Sequence, residues 1–240
     1  MKRKLLQIGA VALILLSFTV FDFSDTVEPD DSAENTLSVP TAAPEPVAAT
    51  PNLDAPELIL VNRWNAIPDD YTVHEIAAGN NQTVDKLCYD ALMNMLGDCQ
   101  AEGLEPLVCS GYRDLALQTQ LYENKIARLV STGFSRGDAE SRAGTEVAYP
   151  GTSEHHTGLA VDLVDMNYQG LDEAQEQTAV QQWLMKNSWK YGFILRYPNG
   201  KSDITGIIYE PWHYRYVGLD AAGAIYEQGI CLEEYLAQYK

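Results

Sequence analysis

Positive charge is scarce in this chain: 16 Lys and Arg stand against 34 Asp and Glu, a formal net charge of −18. Nucleic acid is therefore excluded as a partner, because little is available to neutralise its phosphates. Histidine is scarcer still; His74, His155, His156 and His213 are the only four. The four cysteines, Cys88, Cys99, Cys109 and Cys231, form no C-x-x-C pair. A cysteine-based zinc site or a thioredoxin-like redox motif is thus without support. No serine has lysine three residues later, which excludes S-x-x-K acyl-transfer chemistry, and H-E-x-x-H is absent as well. A hydrophobic content of 46% excludes wholesale disorder.

The charge that is present is unevenly placed. Lys2, Arg3 and Lys4 precede an almost uncharged run from Leu5 to Phe21, and a basic flank before an apolar run reads as an export signal. No A-x-A-like cleavage site follows, and no Cys for lipid attachment. The expectation is an uncleaved N-terminal anchor over residues 1–21, with its basic flank in the cytoplasm and the rest of the chain outside. A cleaved signal peptide is the alternative. Residues 22–57 carry nine acids, six prolines and no Lys or Arg. Such a segment has too little apolar surface to offset chain entropy and reads as a disordered acidic tether. Residues 58–240 are expected to form one domain, long enough to bury a core. Disulfides are permitted outside the cell. Cys88 and Cys99, however, would lie about 16 Å apart on one helix, too far to bond.

Within that domain, Leu58-Ile59-Leu60-Val61-Asn62 reads as a strand or extended segment. Val84, Leu87, Cys88, Ala91, Leu92, Met95, Leu96 and Cys99 repeat at the spacing of one helix face, with Thr83 as candidate cap. A buried strand at Leu107-Val108-Cys109 runs into Ser110-Gly111-Tyr112-Arg113. Further helices are expected over 114–131, from a Ser135/Asp138 capping pair onward, over 172–190, and over 219–239 with a break near Gly229. Residues 194–197 and 206–217 read as strands. Helices interleave with short strands but not in regular βαβ units, so the fold class is α+β, a small antiparallel sheet flanked by helices.

Three of the four histidines lie in two polar-aromatic patches, GTSEHHTGLAVDLVD and GIIYEPWHYRYVG. Alternation turns Leu159, Val161 and Leu163 into the core, and Ala160 and Asp162 to the other face. An acid beside a small Ala suggests a cleft floor, toward which His155 can fold back. In the second patch Trp212, Tyr214 and Tyr216 share one face, and His213, Arg215 and Val217 the other. Pro211 makes regular pairing at Glu210 unfavourable, and a bend there could bring Glu210 and His213 to one cleft. Two His and one Asp are a sufficient zinc set with a fourth position for water. Glu210 could then serve as a base that is not a ligand. His-x6-Asp alone is not a specific motif; ordinary packed or surface histidines would read the same way.

The motifs taken together are specific. S153-E-H155-H-T-G158-L-A160-V-D162 is similar to the S-x-H-x-x-G-x-A-x-D signature of zinc D-alanyl-D-alanine peptidases, E210-P-W-H213 to their second zinc motif, and S110-G-Y-R113 to their substrate-arginine motif. Over roughly residues 58–240 the chain resembles the VanY-type D,D-carboxypeptidases and the related LdcB-type L,D-carboxypeptidases, a fold type shared with lysostaphin-like enzymes and the Sonic hedgehog signalling domain. The resemblance implies one zinc per domain, held by His155, Asp162 and His213. It implies Glu210 as catalytic base, Arg113 against the scissile carbonyl, and Ser153 and Gln118 as substrate contacts. His156 takes a variable place in the motif and is expected at the rim or behind a ligand; His74 is expected to be structural or on the surface. The implied activity is removal of the C-terminal D-alanine from peptidoglycan stem peptides by a monomer tethered at the extracytoplasmic face of the membrane. An L,D-carboxypeptidase acting on tetrapeptide stems, or a non-catalytic zinc-binding wall-recognition module, are the alternatives. Intact Glu210 and Arg113 argue against the last.

Overall fold

The computed structural model describes residues 51–240. The expected anchor and residues 22–50 of the expected tether lie outside the described residues. Among the described residues no helix is long and apolar enough to cross a membrane.

In chain order the elements are a 3-10 turn at Pro56–Leu58, β1 (Glu75–Gly79), β2 (Gln82–Asp85), α1 (Lys86–Ala101), β3 (Pro106–Ser110), α2 (Leu115–Ser131), α3 (Arg136–Glu146), a 3-10 turn at Glu154–Thr157, and β4 (Ala160–Asp165). There follow a 3-10 turn at Glu173–Gln177, α4 (Ala179–Asn187), a 3-10 turn at Ser188–Tyr191, β5 (Phe193–Leu195), α5 (Ser202–Thr205), β6 (His213–Tyr216), α6 (Leu219–Gln228) and α7 (Leu232–Ala237). β1 and β2 form a hairpin, and β3-β4-β6-β5 form an antiparallel sheet. The α+β class is as expected.

Local chemistry explains where the elements depart from the sequence reading. α1 begins two residues later than a Thr83 cap would allow. Asn80 and Asn81 take the left-handed conformation of a tight hairpin turn, which leaves Thr83 in β2. Asp85 caps the helix instead, accepting from Leu87 N at 2.8 Å. The expected helix over 172–190 is broken because Thr178 is extended and caps α4, its hydroxyl accepting from Gln181 N at 3.2 Å. Of the strand expected over 206–217 only β6 forms. Gly206 ends α5, and Ile208 N donates to Thr145 O at 2.9 Å rather than to a neighbouring strand. The segment from Leu58 to Asn62, expected as a strand or extended segment, joins neither sheet: at its start the carbonyls of Glu57 and Ile59 accept from Arg215 Nη2 at 3.0 and 2.8 Å. Packing starts before residue 58, since Leu53 and Ala55 lie against the cluster around Val217, Ile225 and Leu232.

The main core lies between one face of the sheet and α1 and α4. Leu159, Val161, Leu163 and Tyr214 meet Cys88, Leu92, Met95, Val180 and Leu184, all with no exposure. Burying a side chain such as Leu92 contributes about 1.5–3 kcal/mol. Among the described residues no disulfide is present; Cys88, Cys99 and Cys231 are buried and Cys109 is half-buried. The run Gly133-Phe134-Ser135-Arg136-Gly137 has the spacing of a nucleophile elbow, but it joins two helices. Ser135 there caps α3, with its hydroxyl 2.6 Å from Asp138 Oδ2.

The opposite face of the sheet carries the polar set. Register pairs Asp162 on β4 directly with His213 on β6, and Ala160 with Arg215. Small Ala160 leaves room on this face, and the strand pairing itself brings the acid and the imidazole together. Gly158 turns the chain from the 3-10 segment into β4 at φ +69°; a Cβ there would meet Asp85 N at 2.8 Å.

Candidate active site and metal centre

Three elements deliver three donors. His155 comes from the 3-10 turn at Glu154–Thr157, Asp162 from β4 and His213 from the start of β6; all are buried, and one donor atom from each lies within 4.8 Å of the others. His155 Nδ1 is 2.6 Å from Gly111 O. A carbonyl can only accept, so Nδ1 carries the proton and Nε2 keeps its lone pair. That Nε2 has no hydrogen-bond partner among the described residues and lies 3.3 Å from Asp162 Oδ2. His213 Nδ1 is 3.1 Å from Asp162 Oδ1 and 3.8 Å from Glu210 Oε2. A buried imidazole nitrogen left without a partner, facing a carboxylate and a second imidazole, fits zinc. His155 would bind through Nε2, with Asp162 and His213 completing the set.

The close approach behind His155 depends on Gly111, where a Cβ would come within 2.2 Å of Thr83 O. Arg113, two residues on, is held from three sides. Its backbone N–H donates to His155 O at 3.1 Å, Nη1 donates to Gln118 Oε1 at 3.1 Å, and Nη2 is 3.6 Å from Asp162 Oδ2. Gln118 is wholly buried, with its amide donating to Ala148 O at 2.7 Å. His156 sits behind this loop, not at the rim. Nδ1 donates to Arg113 O at 2.7 Å, and Nε2 accepts from Gly151 N at 3.1 Å. His74 is exposed and apart from the site.

Arg113, Gln118, Ser153, Glu210, Trp212 and the three donors line one cleft of about 480 Å³. Its electrostatics are uneven. Burial lowers His155 to about 4, and the Arg113 charge adds to the effect. Burial would push Asp162 up, but the neighbouring His155 and His213 outweigh it and hold the carboxyl well below its usual range. Burial raises Glu210 to about 8, with the Asp162 charge acting the same way and His213 and Arg113 against it. For His213 burial acts downward, yet the carboxylates of Asp162, Glu154 and Glu210 around the ring prevail and raise it to about 9. The Cys109 thiol also lines the cleft, but burial and Asp162 push it up, the reverse of what a nucleophile needs.

Every residue singled out in the sequence except His74 is at or directly behind this cleft. What the sequence reading missed is the layer beneath it: Glu154, Arg196 and Arg215, all buried. One signal was available. Two arginines on segments expected to be buried strands need acidic partners.

A buried two-His, one-Asp set beside a further buried carboxylate fits the metal centre of a zinc hydrolase, here on an α+β scaffold. The family model "D-alanyl-D-alanine carboxypeptidase" (VanY) matches residues 81–219. A D-alanyl-D-alanine carboxypeptidase of Enterococcus faecalis is 45% identical over 179 residues, covering 75% of this chain and 65% of that protein. Solved structures of VanY from a VanB-type resistance cassette in complex with Zn(II), and of VanYB with D-alanine-D-alanine, are each 43% identical. They cover 75% and 77% of this chain and 99% of theirs, with TM-scores of 0.70 and 0.71. The LdcB LD-carboxypeptidase structure is 37% identical, covers 78% of this chain and 89% of its own, and has a TM-score of 0.67. The chain belongs to the VanY family of D-alanyl-D-alanine carboxypeptidases.

Proposed function

We propose that this protein is a zinc metallocarboxypeptidase acting outside the cytoplasm, which hydrolyses the C-terminal D-alanine from peptidoglycan stem peptides. The observation that carries the reading is the convergence in one cleft of His155, Asp162 and His213 with Glu210, 3.8 Å from His213 Nδ1, and with the guanidinium of Arg113. The family match and the relatives' named activity support it, although the alignment spans only 65% of the enterococcal protein's length.

His155, Asp162 and His213 would hold the metal. When bound, zinc supplies a Lewis acid for the scissile carbonyl and for water. Glu210 takes a proton from water at its carboxylate and returns it to the leaving amine. Arg113, fixed by Gln118 and by its own backbone, sets a permanent positive charge where negative charge develops on the carbonyl oxygen. Ser153 contacts the substrate. Gln118 has both ends of its amide engaged and acts on the substrate through Arg113. Residues 1–21 anchor the chain as a monomer in the membrane, and the acidic Pro-rich segment after them holds the domain away from it.

Within this class a D,D enzyme cuts D-Ala-D-Ala in pentapeptide stems, and we favour it over the L,D reading on the higher identity to VanY than to LdcB. Mass spectrometry of purified tetra- and pentapeptide stems after incubation with the protein tests both. Loss of one alanine from the pentapeptide is expected; loss from the tetrapeptide alone would make it an L,D enzyme. A chelator should abolish turnover and added zinc restore it. Full activity in a metal-free preparation would refute the mechanism.

A further inference from the structure

Arg196, just past β5, and Arg215, on β6, are both completely buried. Buried guanidinium groups need carboxylates. Glu233 grips Arg196 through two bonds, 2.9 Å from Nη1 and 2.6 Å from Nη2. Glu154, also completely buried, accepts from Arg196 Nε at 2.7 Å and from Arg215 Nη1 at 2.8 Å. Two acids thus match two bases, and the cluster is neutral.

Charge balance does not explain how Glu154 is oriented. Both arginines bind the same oxygen, Oε1. Oε2 is buried without a hydrogen-bond partner among the described residues, and it points at His213 Nε2, 3.5 Å away and likewise without one. The other nitrogen of that ring, Nδ1, faces Asp162 and Glu210. An imidazole that donates its Nε2–H to a carboxylate presents the Nδ1 lone pair on its far side.

Resting on the function proposed above, we propose that Glu154 is a positioning residue for His213: its free oxygen accepts from Nε2–H, fixes the ring's rotation and tautomer, and turns Nδ1 to the metal. Arg196 and Arg215 act as the clamp that keeps the carboxylate rigid and ionised. Glu154 and His155 are neighbours in sequence, so one 3-10 turn supplies one ligand and steers another 58 positions away.

The test compares Glu154→Gln with Glu233→Gln in the full-length protein. Both remove one negative charge from the same cluster, but only the first removes the acceptor facing His213. Zinc affinity is measured by competition with a chromophoric chelator, and stability by thermal melting of the metal-free protein. Both variants should melt lower. Glu154→Gln should lose 10- to 100-fold in zinc affinity, the range typical of such partners, while Glu233→Gln stays close to the parent. Equal affinity in all three would make Glu154 a charge partner of the arginines and nothing more. Should Glu154→Gln fail to fold, 15N NMR of histidines in the zinc-loaded parent gives the answer: Nε2 of His213 protonated and Nδ1 metal-bound is expected, and the reverse overturns the proposal. A parent that binds no zinc would bring down the proposed function and this inference together. A parent that binds and turns over, with an unaffected Glu154→Gln, brings down this inference alone.

Discussion

Glu210→Gln should push turnover and stability in opposite directions. The two side chains are nearly isosteric, so the bend at Pro211 and Trp212 should survive, as should the Glu210 backbone bond to Tyr197 O at 3.1 Å. Gln cannot accept and return a proton at neutral pH. General-base catalysis is worth about 10²- to 10⁴-fold, and the loss should fall on kcat, because the ground-state substrate need not touch this group. Stability changes the other way in the metal-free protein. Burial raises Glu210 from 4.5 to about 8. An acid with a folded-state pKa above its unfolded one costs the folded state nothing below about pH 4.5. The cost grows between about 4.5 and 8 and is complete above that. At 1.36 kcal/mol per unit it reaches on the order of 4–5 kcal/mol. Gln never ionises, so the metal-free variant should melt like the parent at pH 4 and well above it at pH 8.5. Zinc content, kcat and the two melting curves are the assay. A variant that turns over like the parent would put the base elsewhere. An empty metal site would make Glu210 a ligand, and no gain in melting at pH 8.5 would refute the burial argument.

Arg113→Lys keeps the charge but cannot hold Gln118 and Asp162 at once; kcat/KM should fall by about 10²-fold with zinc content unchanged. His156→Ala removes the two bonds that tie Arg113 O to Gly151 N through the imidazole, and urea unfolding should read a loss of about 1–3 kcal/mol. A chain starting at residue 51 should keep its turnover. One starting at residue 59 loses Leu53, Ala55 and Leu58 from the C-terminal cluster and the Glu57 carbonyl from Arg215, so its melting temperature should drop. Equal melting of the two would show that residues 51–58 contribute no stability.

What the sequence made legible follows from the range over which each signal acts. Alternation from Leu159 to Leu163 is local, and it correctly sorts three core residues from Ala160 and Asp162. The helix expected over 114–131 is local too; it forms over Leu115–Ser131, and Asp114, read as its first residue, caps it instead, with Leu117 N donating to Asp114 Oδ1 at 2.7 Å. Strand register is not. Nothing in either patch states that Asp162 pairs with His213, 51 residues on, although that pairing builds half of the metal centre. The buried cluster is further out of reach, because Glu154 meets Arg196 and Arg215 across 42 and 61 residues. The hydropathy that marks 206–217 as strand-like is real, but that segment spends its apolar residues on the cleft wall. Ile207, Ile208 and Trp212 line the cleft without forming a ladder. Periodicity reports which residues seek burial, while the partner that buries them is decided by chain crossings. The chemistry of this site depends on those crossings: the same ligand pair with Asp162 one position out of register would sit on opposite faces of the sheet.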